Sequence, residues 1–221
     1  MAKQALIEQR PWLLASITAA TAFYFLSDNP IFEGTWGLLA KGASVGLLAL
    51  YALLRVPHGR RGIDGGLLVA MLALAAAGDV GIELDFTIGG AFFAAAHGVA
   101  VALYLRNHHQ RPSPNQKAIG LALLIGTPLV SYVLSGQAQV AIYASFLGAM
   151  ASAAWMSHYP RYRVGTGAVL FVLSDWLIFA RMGPYDLAPL PDLLIWPLYY
   201  AGQVMIATGI VQCLRGEQPV K

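Results

Sequence analysis

Asp79, Asp175, His97 and Lys41 are ionisable residues embedded in long apolar stretches, and Tyr143, Tyr199, Tyr200 and Gln203 are polar residues in similar surroundings. An Asp or Lys at the centre of a membrane helix costs about 2.5–3.5 kcal/mol on insertion scales, so such residues are functional by default. Two carboxyls in one desolvated site make an acid–base pair, because burial and mutual repulsion favour one protonated and one ionised group. Which acid takes which role stays open at this level, and the two titrate as a unit. An imidazole beside them would orient a water or shuttle a proton. Tyr199 and Gln203, four residues apart, share a helix face. Each residue also has a purely structural reading: an interfacial acid for Asp79, a salt bridge to Lys41 or Arg181 for Asp175, and a satisfied core histidine for His97. For Tyr199 and Tyr200 it is an aromatic belt, the favoured reading for Trp196. Gln203 is more specific, since an amide in mid-membrane needs partners.

The elements that must position these groups follow from composition. Of 221 residues, 57% are hydrophobic and 11% charged, and mean hydropathy is +0.60, against about 25% charged residues in a soluble domain. A soluble globular protein is excluded. Apolar stretches bounded by Pro, Gly and charges fall at about 12–27, 36–54, 63–82, 88–105, 117–134, 138–156, 164–180 and 193–213. They predict an all-α, polytopic bundle of eight transmembrane helices, a single integral membrane domain over 1–221. The first span is followed by Ser27-Asp28-Asn29-Pro30, a turn rather than a cleavage site, so it is expected to be retained.

Lys3, Arg10, Arg55, Arg60, Arg61, Arg106, Arg111, Lys117, Arg161, Arg163, Arg215 and Lys221 fall on one set of helix ends, and only Arg181 on the other. That bias places both termini in the cytoplasm and makes a nucleic-acid role unnecessary for the basic excess. The other side is acidic, with Asp28, Glu33, Glu83, Asp85, Asp186 and Asp192. Of 25 charges, 22 sort to loops or helix ends, leaving Lys41, Asp79 and Asp175 inside. At about 1.5 Å per residue, Asp79 lies about one turn from the outer end of its helix, Lys41 and Asp175 one to two turns, and His97 nearer the middle. Polar groups thus converge on the outer half, which implies a cavity open to the outer side or outer leaflet. His58, His108, His109 and His158 fall in cytoplasmic loops and are expected to be solvated. Gly42/Gly46 and Gly120/Gly126 are expected at close helix contacts. Ala77-Gly78-Asp79 and Leu173-Ser174-Asp175 end parallel spans, the trace of a two-half repeat. Cys213, the single cysteine, excludes an internal disulfide.

Gly78-Asp79, the run Gly89, Gly90, Phe92 and His97, then Leu170-Phe171 with Ser174-Asp175, and Tyr199-Tyr200 with Gln203 follow one another in order. With Lys41 and Tyr143, they make the chain resemble the YhhN-like lysoplasmalogenase family over all eight spans. It departs from that pattern at Glu83, where an apolar residue is common, and at Gly42, where Pro often follows the lysine. The resemblance implies hydrolysis of the vinyl ether of lysoplasmalogen to a fatty aldehyde and glycerophosphoethanolamine or glycerophosphocholine, in a bacterial inner membrane. Vinyl ethers are cleaved by protonating the β-carbon, and water captures the resulting oxocarbenium ion. Asp79 and Asp175 suit that acid and base work, with His97 as a third catalytic residue. Lys41, Tyr143, Tyr199, Tyr200 and Gln203 are expected to bind substrate, the tyrosine and glutamine at the glycerol oxygens and Lys41 at the phosphate or an ionised Asp. No cofactor is expected. One intramembrane His and two Asp form a poor zinc site, so no metal is expected either. The alternative is a proton-coupled carrier of small molecules or lipids, which uses the same residue types. Against it, the cytoplasmic halves of the spans read as apolar. A purely structural role gives no reason to keep Asp, His and Gln in lipid.

Overall fold

The computed structural model describes residues 10–27, 29, 30, 32, 34–56 and 62–217. Lys3, Asp28, Glu33, His58, Arg60, Arg61 and Lys221, used above to orient the chain, lie outside them. Helices α1 (Arg10–Leu26), α2 (Thr35–Arg55), α3 (Gly62–Leu84), α4 (Phe86–Arg106), α5 (Pro114–Ser135), α6 (Ala138–Trp155), α7 (Thr166–Met182) and α8 (Leu190–Leu214) account for the described chain, with one π turn, Arg161–Gly165, leading into α7. Among the described residues, seven helices are long and apolar enough to cross a membrane, α7 together with the π turn that leads into it. The first expected span, α1, is the short one: its 17 residues extend about 25 Å against a hydrocarbon thickness of about 30 Å.

Local chemistry explains the breaks. Ser113 and Gln116 form a reciprocal capping box at the start of α5, with Pro114 in its first turn, and Gly136 ends that helix at φ 69°. Asp85 is the sole residue between α3 and α4, and its carboxylate accepts from the backbone N–H of Thr87 and Ile88. An acid read as a loop charge is therefore a helix cap that keeps the α3–α4 hairpin tight.

α1 with α2, α2 with α3, α3 with α4, α5 with α6 and α7 with α8 pair as neighbours, and contacts of α4 with α6, α5 with α7 and α8 with α2 and α3 close the bundle. Leu48, Leu68, Leu72, Leu103, Leu147, Ile206 and Ile210 are fully buried in its interior, whereas Leu39, Leu53, Leu121, Ile125, Leu129 and Ile142 face outward. Apolar side chains on both faces of a helix are stable only if lipid replaces water outside. α1 is tied to the bundle by polar contacts. Ser16 Oγ donates to Ser44 O and lies 2.7 Å from Tyr200 Oη, and Trp196 Nε1 donates to Ala20 O. Pro197 lacks the N–H that would satisfy Leu193 O, and Tyr24 Oη supplies a donor there at 3.1 Å.

Two of the glycine expectations need correction. A Cβ on Gly42 would meet Val80 at 2.7 Å and one on Gly120 would meet Met156 at 2.9 Å, but Gly46 has room and Gly126 faces open space. The histidine expectation also changes. His109 and His158 stack at 4.9 Å, His158 Nδ1 is buried without a partner, and burial together with His109 and His108 holds His158 below the usual imidazole range.

Candidate active site

Five helices deliver polar side chains to one layer. α3 carries Asp79, α4 His97, α6 Tyr143, α7 Asp175 and α8 Tyr199 and Gln203. Asp79, Asp175, His97 and Gln203 are 2%, 5%, 3% and 2% exposed. Burial this deep obliges each to find a partner. Tyr199 Oη donates to Asp79 Oδ2 at 2.8 Å, and Gln203 Nε2 donates to Tyr199 Oη at 3.4 Å. Tyr143 Oη donates to Asp175 Oδ2 at 2.9 Å and lies 3.2 Å from His97 Nε2. Among the described residues Asp175 has no salt bridge, for Lys41 pairs with Glu83 and Arg181 with Asp192. The two acids occupy like ends of α3 and α7, but their tyrosine partners do not follow a two-half repeat. Asp79 takes its tyrosine from the other half of the chain and Asp175 from its own.

Both carboxyl groups, Tyr143, Tyr199 and Lys41 line a cavity of about 430 Å³ whose other walls are mainly apolar, among them Ile82, Phe93, Phe171, Ile178 and Phe179. Phe86, Ile142 and Phe146 line it too and are also exposed on the outside of the bundle. The cavity therefore opens sideways between the first halves of α4 and α6, into the space that lipid occupies. A volume of a few hundred Å³ with few polar groups is the form of a small-molecule site.

A family model described as the YhhN family matches residues 36–210. The chain belongs to the YhhN family. No curated protein and no solved structure matches it significantly. The matched segment runs from α2 to near the end of α8 and includes every residue of the candidate site.

Within this YhhN-family bundle, four residues sit differently from expectation. Lys41 Nζ does not pair with an aspartate; it donates to Glu83 Oε1 at 2.5 Å. Glu83 is one turn beyond Asp79 on the same face of α3 and its side chain is 45% exposed, so a charged carboxylate is far cheaper there than at Asp79. Tyr200 turns away from the cavity and bonds Ser16 of α1, because adjacent helical residues point about 100° apart. His97 does not border the main cavity. Phe171 stands against it at 5.0 Å, and it reaches Asp175 through Tyr143. Trp196, assigned above to an interfacial belt, lines the cavity and stacks on Tyr200. Sequence reasoning missed Glu83 and Phe93, and did not foresee that Phe93 joins Phe171 and Tyr199 in an aromatic wall whose rings meet edge to face at 5.0–6.0 Å. Phe171 stood in a quoted motif, and Glu83 was the departure from the family pattern; both were available signals. Among the described residues no three His, Cys, Asp or Glu side chains converge as a metal-binding group.

Proposed function

We propose that this YhhN-family protein hydrolyses the vinyl ether bond of lysoplasmalogen, releasing a fatty aldehyde and glycerophosphoethanolamine or glycerophosphocholine. The reading rests on one observation: two buried carboxyl groups face a single apolar cavity that opens laterally to lipid. A one-chain lipid entering between α4 and α6 would lay its tail along Ile142 and Phe146 and bring its ether oxygen beneath the charged pair Lys41–Glu83. One aspartic acid delivers its proton to the β-carbon of the vinyl ether, and the electron pair of the double bond forms the new C–H bond. The oxocarbenium ion is stabilised by the other, ionised carboxylate, which takes a proton from the attacking water. The hemiacetal then collapses to aldehyde and glycerol hydroxyl, and the proton moves from the hemiacetal hydroxyl to the departing oxygen. Tyr143 and Tyr199 hold the two carboxylates in place, and His97 and Gln203 act through those tyrosines as positioning residues. Orientation with both termini in the cytoplasm, in a bacterial inner membrane, belongs to the same proposal and puts the cavity in the outer leaflet.

The assay is aldehyde release by purified protein in detergent, read by mass spectrometry. Lysoplasmalogen is expected to yield aldehyde, and lysophosphatidylcholine and an alkyl ether control to yield none. Equal turnover of the acyl lipid, or no turnover of the vinyl ether, overturns the proposal. EDTA is expected to leave the rate unchanged; strict loss restored by Zn²⁺ would instead place a metal in the mechanism.

Lys41 is proposed to meet the lipid phosphate. A charge-assisted hydrogen bond contributes about 1.5–3 kcal/mol, so Lys41→Gln is expected to raise KM by about 10- to 100-fold with kcat little changed. A fall in kcat at constant KM would contradict that assignment. Apolar packing below the site weighs against the carrier alternative. Leu48, Leu68, Leu103, Leu147 and Ile210 pack the bundle interior without exposure, whereas a transport path needs polar groups or water along its length.

A further inference from the structure

Asp79 and Asp175 end two similar hydrogen-bonded arms, one running through Tyr199 to Gln203 and the other through Tyr143 to His97. A phenol has one proton to donate. Because the Tyr143 proton goes to Asp175, the contact between Tyr143 Oη and His97 Nε2 is a hydrogen bond only if the imidazole proton sits on Nε2. That leaves Nδ1 as an acceptor. Gln203 directs its amide nitrogen to Tyr199, and its Oε1 is buried without a partner. One arm therefore ends, at its deep end, in a buried acceptor that needs a donor, Gln203 Oε1, and the other ends in His97 Nδ1, left as an acceptor by the tautomer. Gln203 and His97 line the same small void, of about 10 Å³, whose other walls include Met71, Ala75, Ala100 and Ile206. That void has about the volume needed for one water.

We infer that this void is a binding site for a single water molecule that donates one hydrogen to Gln203 Oε1 and the other to His97 Nδ1, joining the two carboxyl-bearing arms. A water has two protons to give, and the residues lining the void offer it two acceptors, Gln203 Oε1 and His97 Nδ1. With Nδ1 held as an acceptor, the imidazole proton stays on Nε2, so Tyr143 cannot turn its own proton toward His97 and keeps it on Asp175. The catalytic consequence rests on the proposed hydrolase reading, while the water site itself does not. The water and Gln203 are positioning elements, separated from the main cavity by Phe93 and Phe171, which line both spaces.

The test is ¹⁵N NMR of histidine-labelled full-length protein in detergent, with the His97 signals assigned by their loss in His97→Phe. The expected result is the Nε2–H tautomer with a hydrogen-bonded Nδ1. In Gln203→Leu, and in Ala100→Val, which fills the void without removing a polar group, Nδ1 is expected to move to the resonance of a free imidazole acceptor. A proton on Nδ1, or an Nδ1 resonance already free in the wild type and unmoved by either substitution, overturns the water site. Should Ala100→Val not fold, the comparison of wild type with Gln203→Leu still decides. If the wild type releases no aldehyde, the hydrolase reading fails and the NMR result stands by itself. If it does, Ala100→Val is expected to lower kcat about 10-fold while Asp79, Asp175, Tyr143 and His97 are all retained, and an unchanged rate would remove the water from catalysis.

Discussion

Asp79→Asn and Asp175→Asn are each expected to reduce aldehyde release by about 10²–10⁴-fold, the contribution of a positioned acid or base. Asn has the shape of Asp and keeps a carbonyl oxygen, so Tyr199 and Tyr143 can still donate at the positions where they now meet Oδ2. What is lost is the exchangeable proton in one case and the negative charge in the other. Stability is expected to hold, because an amide is cheaper than a carboxylate to bury in an apolar bundle. A melting temperature matching the wild type, measured beside the loss of turnover, separates chemistry from misfolding. Full activity in either variant would remove the two-carboxylate mechanism. Tyr143→Phe and Tyr199→Phe leave both carboxyl groups in place but free to turn, and are expected to cost less.

The second large effect concerns the helices that carry the site. α7 and α8 meet through glycine on both sides: a Cβ on Gly202 would lie 2.6 Å from Gly167 O, and one on Gly167 would lie 2.8 Å from Gly202 O. Both obstacles are backbone, so no rotamer change relieves them. Gly202→Val therefore pushes α7 from α8, one turn below Tyr199 and beside Gln203, and Asp175 moves with α7 away from the cavity wall. Overpacking a tight contact costs about 1–3 kcal/mol and sometimes more. For a chain of this size that corresponds to a melting-temperature loss of about 2–12 °C, with activity falling in parallel. Gly126→Val, at a glycine facing open space, is the matched control and should be nearly neutral. Equal melting curves for Gly202→Val and the control would refute the close-contact account.

Span positions were legible because hydropathy, proline and charge report directly on what lipid tolerates, and the observed helices lie within a few residues of the expected ones. The intramembrane acids stood out for the same reason, as expensive residues with no excuse of composition. What periodicity could not give was partnership between helices. Spacing places Asp79 and Glu83 on one face of α3, but only the packed bundle decides that Lys41 meets the shallower of the two. Spacing puts Tyr199 and Gln203 together, yet says nothing of α1, whose Ser16 draws Tyr200 to the opposite side. His97 was legible as a buried polar group, but its place behind Phe171 depends on how α4, α6 and α7 cross. The paired glycines mislead in the same way. A small residue permits a close contact without requiring one, and Gly126 has none.

Hydrolysis of lysoplasmalogen in H₂¹⁸O by purified protein tests the central claim most directly. If a buried acid protonates the vinyl carbon and water captures the cation, protein-dependent fatty aldehyde forms and the glycerophosphoethanolamine product carries no ¹⁸O, since its hydroxyl oxygen is the original ether oxygen. Absence of aldehyde, or ¹⁸O in the glycerophosphoethanolamine, would contradict the account.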